Sequence, residues 1–176
     1  MLHHFPRSTS VKELWGVDYN VGYITWCQQH FPPPFLFAIT TTAPHLPFED
    51  NYFDLVYCGS VFTHIDHLSD AWFLELRRIL RVGGYLYSTV HDESSIELIR
   101  TRYRESAPHL AGPIEQLNRQ TGFLSRRYAS VAFGVEPAVQ MFYNSAYLTR
   151  KWSRLMALRS TTPEAYSFQT AMLWQK

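Results

Sequence analysis

The chain has 176 residues, 46% hydrophobic and 18% charged, which is enough apolar material for a buried core and too much for a disordered tail. Sixteen Lys and Arg against fifteen Asp and Glu leave a formal net charge of +1, so attraction to nucleic acid or an anionic membrane through overall charge is excluded. Cys27 and Cys58 are too few for a disulfide scaffold, no apolar run approaches the roughly 20 residues of a membrane span, and the N-terminus carries no apolar signal core; a soluble, cytoplasmic, single domain spanning residues 1–176 is expected.

The first element lies in Val11 to Asp18, where Leu14-Trp15-Gly16-Val17 has the continuous apolar character of a strand buried on both faces and stops at an acid, Asp18. Asn20 is placed to cap a helix over Val21 to Phe31, which Pro32-Pro33-Pro34 ends. Phe35 to Thr40 reads as a second strand, followed by a polar loop and the turn cluster Pro47 to Asn51. A third strand, Phe53-Asp54-Leu55-Val56-Tyr57-Cys58, runs into a loop at Gly59-Ser60.

Asp70 to Leu80 is the clearest helix, with Phe73, Leu74, Leu76, Ile79 and Leu80 on its apolar face and Glu75, Arg77 and Arg78 on its polar one. Arg81-Val82-Gly83-Gly84 reads as a turn and Tyr85 to His91 as a strand. Strands alternating with helices at this spacing predict βαβ units and a largely parallel sheet. Further on, Ser94 to Ser106 and Ser145 to Trp152 read as helices, the second with Ser145 as its cap, while Gly112 to Gly134 stays ambiguous. Arg154 to Ser160 and Ser167 to Gln175 read as two last strands; Thr161-Thr162-Pro163-Glu164 between them suits an antiparallel pair and leaves no room for a crossover helix.

Three segments in order resemble the class I S-adenosylmethionine-dependent methyltransferases of the small-molecule type: Leu14 to Asp18, Leu46 to Val56 with its Leu-Pro-Phe-Glu-Asp-Asn-Tyr-Phe-Asp-Leu-Val run, and Leu76 to Gly84. The resemblance implies an α/β, Rossmann-like, mostly parallel sheet with a C-terminal antiparallel hairpin, and S-adenosylmethionine as cofactor. It places Asp18 at the ribose hydroxyls with Tyr19 beside it, Leu46 and Thr42 at the adenine, and Tyr57, Cys58 and Gly59 at the methionine end. An acid ending a buried parallel strand sits at the sheet edge where doubly wound folds bind ligands, although Asp also favours a helix start. Thr42 stands where the family often has a carboxylate, and a hydroxyl accepts a hydrogen bond more weakly. Gly59 permits close approach of backbone to a ligand or simply makes a turn, and Cys58 reads as a small buried residue rather than a nucleophile. A nicotinamide-dinucleotide oxidoreductase shares the strand-ending acid but explains neither the Leu46 to Val56 run nor Arg81 to Gly84.

Methyl transfer from a sulfonium is an in-line displacement, in which alignment carries much of the catalysis and an oxygen acceptor gains from a base near neutral pH. His64 and His91 lie near predicted carboxyl strand ends and are the candidates, each with an alternative: His64 as a support for its loop, His91 as a strand end. Asp66, His67 and Asp70 more plausibly surround a helix start than a metal. Phe142, Tyr143 and Tyr147 suit either an acceptor pocket or packing, and the basic groups Arg100 to Arg104, Arg126-Arg127 and Arg150-Lys151 suit solvated faces or an anionic substrate. The partner implied is a small-molecule acceptor, with no nucleic acid and no membrane.

The family's glycine-rich loop, Asp/Glu-x-Gly-x-Gly-x-Gly, does not occur among these residues, and Leu2 to Pro6 resemble the end of the helix that should follow it. The reading is therefore of a domain whose first strand and glycine-rich loop are missing, truncated at the N-terminus, and either active in its complete form or a non-catalytic remnant or partner subunit.

Overall fold

A computed structural model of the protein describes residues 11–65, 67–122, 130–134 and 139–176. They fall into two compact units, one ending at Phe48 and one beginning at Glu49. The sequence-derived helix end at Leu2 to Pro6, together with His3, His4, Asp66 and Arg126-Arg127, lies outside the described residues.

The first unit is one βαβ motif. Strand β1 (Leu14–Asp18) and β2 (Phe35–Ile39) pair in parallel from Leu14 opposite Phe35 to Asp18 opposite Ile39, with helix α1 (Val21–His30) between them. The helix starts as its sequence requires: the Asn20 side chain accepts the Tyr23 N–H at 3.1 Å, satisfying one of the orphan donors of the first turn. It stops at Phe31, before the prolines, and Phe31 packs edge-on against Phe35 with ring centroids 5.5 Å apart.

The second unit is built on a four-stranded sheet in the order β3–β4–β8–β7, from β3 (Phe53–Cys58), β4 (Leu80–Val90), β7 (Ala157–Tyr166) and β8 (Gln169–Gln175). Strands β3 and β4 are parallel; β8 is antiparallel to both β4 and β7. The α/β fold with a C-terminal antiparallel hairpin is thus the one the sequence implies. Helix α2 (Ser69–Ile79) is followed directly by β4, which corrects the expected turn at Arg81 to Gly84. Phe53 pairs with Leu80, the register then slips, and Leu55 pairs with Tyr85. The slip is a bulge that uses Gly83 at φ 82°, a conformation open to glycine, and brings Gly84 against the Asp54 and Phe53 carbonyls.

Helix α3 (Glu93–Arg100) is shorter than expected and opens with a reciprocal cap between Asp92 and Ser95. Part of the ambiguous stretch is helix α4 (Pro108–Thr121), which ends on left-handed Gly122. A short antiparallel pair, β5 (Ser130–Phe133) and β6 (Gln140–Tyr143), was not legible. Helix α5 (Ser145–Trp152) has the expected span, but its cap is Asn144, whose side chain accepts the Tyr147 N–H, and not Ser145. The final hairpin has only Ser167 and Phe168 between its strands, because β7 continues through the Thr161 to Glu164 stretch with a register slip before Tyr166.

The core of this unit is aromatic. Trp152 stacks on Phe73 at 4.2 Å and meets Phe62 at 4.9 Å, with Trp174 edge-on to Phe73, and all four are fully buried. Burying such side chains removes more area from water than any other residue type does. A second cluster joins Ile96, Ile99, Leu110, Ile114 and Phe142. No helix among the described residues is long and apolar enough to cross a membrane.

Candidate functional site

In the first unit Asp18 closes β1. Its Oδ1 accepts the Asn20 N–H at 2.8 Å, and its backbone carbonyl accepts the Thr40 N–H at 3.0 Å. The carboxylate is therefore fixed at the carboxyl end of a parallel strand, where it organises the start of α1. Tyr19 is 60% exposed. Leu46 is buried, Phe48 packs edge-on against Trp15 at 5.1 Å, and the Leu46 carbonyl accepts the Phe48 N–H. Thr42 is exposed in the preceding loop.

In the second unit Tyr57, Cys58 and Gly59 end β3. The Tyr57 ring lies parallel to that of Tyr87, centroids 5.2 Å apart, and desolvation, then Tyr166, Tyr87 and Cys58, raise its hydroxyl above the ordinary tyrosine range. Burial pushes the Cys58 thiol up to about 12, so it stays protonated and is no nucleophile. The space off the Gly59 Cα is taken by the Tyr57 side chain: a Cβ there would stand 2.4 Å from the Tyr57 hydroxyl oxygen. A side chain at position 59 would have to displace the Tyr57 ring, a constraint the sequence does not disclose.

The two histidines are held differently. His64 is in a short 3-10 turn, Phe62–His64, with its ring at the surface and its Nδ1 2.9 Å from the Val139 carbonyl. A carbonyl only accepts, so Nδ1 carries the proton and Nε2 is left as the acceptor, the tautomer a general base needs. The turn is clamped from above by Tyr143, whose hydroxyl lies 3.1 Å from the Phe62 carbonyl and 3.0 Å from that of Ile65. His91, directly after β4, is 2% exposed and stacked on Phe142 at 4.7 Å. Burial first, then the nearby His64, lower it to about 3, with the Met141 backbone offsetting part of this. His91 is a neutral ring in the wall, which favours its strand-end role over that of a base.

A closed hydrogen-bond circuit lies at the same end of the sheet. The Ser60 N–H donates to Thr89 Oγ1 at 2.8 Å, Thr89 Oγ1 donates to Gln169 Oε1 at 2.5 Å, and Gln169 Nε2 donates to Ser60 Oγ at 3.0 Å. Thr63 joins through a 3.2 Å contact between its hydroxyl and that of Ser60. Sequence reasoning misses Thr89 and Gln169; the available signal is a polar residue near the end of an otherwise apolar strand, which a buried site must satisfy.

The remaining candidates are in structural roles. Asp70 binds Lys151 and the Trp152 indole N–H, and among the described residues no three ligand-type side chains gather for a metal. Arg100 pairs with Glu115 and Arg102 with Glu164.

Residues 2–88 match the methyltransferase domain family. The phthiotriol/phenolphthiotriol dimycocerosates methyltransferase 1 of Mycobacterium ulcerans is 34% identical over 119 residues, 66% of this chain and 41% of that protein, so the chain spans well under half of this relative's length. A methyltransferase of Methanosarcina mazei described as S-adenosylmethionine-dependent superposes with a TM-score of 0.62 over 92% of this chain and 81% of its own, at 14% identity. The 1,6-didemethyltoxoflavin N1-methyltransferase of Burkholderia thailandensis, solved with S-adenosylhomocysteine, gives 0.58 over 92% and 60%, at 10% identity.

Proposed function

We propose that this chain, whose residues 2–88 match the methyltransferase domain family and whose fold is that of S-adenosylmethionine-dependent methyltransferases, serves methyl transfer from S-adenosylmethionine to a small-molecule acceptor, in a reducing compartment where Cys27 and Cys58 are free. The observation that carries this reading is the set of polar groups at the carboxyl ends of β3 and β4 in the second unit, the Gly59-Ser60 turn, His64 and His91. Two relatives carry small-molecule acceptors in their names, the dimycocerosates and the didemethyltoxoflavin enzymes, which supports the acceptor class.

When bound, the cofactor supplies a methyl group on a sulfonium. Asp18 would accept its ribose hydroxyls, with Tyr19 beside it, and Leu46 and Thr42 would meet the adenine. Tyr57, Cys58 and Gly59 would form the floor at the methionine end, where the protonated Cys58 adds apolar surface and no charge. His64 would take the acceptor's proton on Nε2, with the Val139 carbonyl holding the ring by accepting from Nδ1. His91 helps keep water from that region as a neutral packed ring.

The second reading is a methyltransferase-like binding partner that does not transfer a methyl group. Calorimetric titration of the chain with S-adenosylhomocysteine separates the two. Binding is expected, with Asp18→Ala weakening it about 10- to 100-fold, the range for a lost hydrogen bond to a charged group. Absence of binding at millimolar ligand would refute cofactor use by these residues.

A further inference from the structure

The circuit of Ser60, Thr89 and Gln169 is what holds the turn after β3 in shape. Ser60 has φ 57°, in the left-handed region that serine seldom occupies. Such a conformation persists where surrounding bonds over-determine it, and here they do. The Ser60 amide and hydroxyl are both engaged, from two strands that lie 29 and 109 residues away in sequence. Thr89 is fully buried and Gln169 nearly so, so water cannot substitute for either partner. In the circuit the Thr89 hydroxyl accepts the Ser60 N–H and donates to Gln169 Oε1, while the amide nitrogen of Gln169 donates to Ser60 Oγ.

Gln169 opens β8 at the tip of the C-terminal hairpin, two residues after left-handed Ser167. The tip of the last hairpin therefore reaches back to the first loop of the same sheet. Gly59 precedes Ser60, and the Tyr57 ring lies over Gly59. Any change in the Ser60 backbone is passed to the segment assigned above to the methionine end of the cofactor.

We propose that Gln169 and Thr89 are positioning residues for the cofactor site, locking Gly59-Ser60 in the left-handed turn that the methionine end of S-adenosylmethionine docks against. This rests on the reading that the chain binds that cofactor. Neither residue touches the reacting atoms; each acts through Ser60.

The test uses the whole chain as Gln169→Leu and Thr89→Val, with Thr170→Val as the control. Thr170 is the buried neighbour of Gln169 on β8 and its hydroxyl has no hydrogen-bond partner, so it lies outside the circuit. Two quantities are read: hydrogen exchange at the Ser60 amide without ligand, and calorimetric affinity for S-adenosylhomocysteine. Gln169→Leu and Thr89→Val are expected to speed Ser60 exchange at least tenfold, with the β4 and α5 amides unchanged, and to weaken the ligand 5- to 30-fold. Thr170→Val is expected to leave both within twofold. Unchanged Ser60 exchange in both variants would overturn the locking role. Faster exchange with unchanged affinity would reduce the circuit to a structural one and overturn the positioning role. If the unsubstituted chain binds no ligand, the cofactor reading fails by itself, the positioning role fails with it, and the exchange result still decides whether the circuit locks the turn. Should Gln169→Leu fail to fold, Thr89→Val, which keeps the shape of the side chain, gives the same two readings.

Discussion

At the scale of single residues, each side chain at the carboxyl strand ends is held by something specific. Asp18 is held by the Asn20 amide, His64 by the Val139 carbonyl, Ser60 by Thr89 and Gln169, and Gly59 by the ring of Tyr57. The last constraint is the easiest to isolate. A methyl group at position 59 meets the Tyr57 hydroxyl oxygen at 2.4 Å and the nearest ring carbon at 2.7 Å, both inside contact distance. Moving the ring aside would break its stacking on Tyr87. Gly59→Ala should therefore cost about 1–3 kcal/mol, as other overpacking substitutions do. In a Tyr57→Ala background the same change should cost well under half of that, since the obstructing atoms are gone. Urea denaturation of the two single variants and the double variant forms the cycle, and additive costs would show that the ring is not what excludes a side chain at position 59.

At the scale of elements, the sequence was most legible where the cause is local. Strand β3 and helix α5 have the spans their apolar patterns predict, and α1 is bounded by the Asn20 cap and the prolines. It was least legible where the cause is distant. The Gly83-Gly84 pair looks like a turn because two glycines usually make one, but pairing with β3 carries the strand through it as a bulge. The Tyr143 clamp on the His64 turn rests on hydrogen bonds 81 and 78 residues apart in sequence. The same holds for His91: its position at a strand end was readable, its burial was not. It joins β4 to β6 through a parallel bridge to Phe142, and the Tyr143 N–H donates to its carbonyl at 2.8 Å. With a folded value of about 3, below the ordinary 6.5 of histidine, the ring charges first in the unfolded chain. Its contribution to stability is therefore complete above pH 6.5 and is lost as pH falls toward 3, at up to about 1.4 kcal/mol per pH unit. His91→Phe, which keeps a ring between Phe142 and Phe168, should remove that contribution while the carboxylates keep theirs. The stability difference between variant and parent should grow in the variant's favour as denaturation is repeated from pH 7 to pH 4; parallel profiles would mean that His91 does not titrate as a buried group.

At the scale of the whole molecule, the two units differ most in what each buries. Ile24 and Leu46 are the buried hydrophobic residues of the first unit among those described, and its sheet is the single pair β1–β2. The second unit holds the four-ring cluster around Trp152, the Ile96 to Phe142 cluster and a four-stranded sheet. Segments of about 40 residues with two strands bury too little to be stable by themselves, and parallel pairing adds less per residue than antiparallel pairing does. The sequence reading of one uniform domain does not anticipate this contrast, because it depends on how many strands each sheet gathers. Among the described residues β1 pairs with β2 alone, while β4 lies between β3 and β8. Stability should then be unequal along the chain. Native-state hydrogen exchange is expected to show the amides of β1 and β2 opening at free energies at least 2 kcal/mol below those of β4 and β8, on the scale set by the marginal stability of small domains. S-adenosylhomocysteine, if held by Asp18, should slow exchange at the end of β1 by mass action, since a ligand that binds only the closed form adds its binding free energy to opening. Equal protection across both sheets without ligand would show that the first unit draws its stability from more than its own two strands and two buried side chains, and protection confined to β3 and β4 on adding ligand would remove Asp18 from the cofactor site.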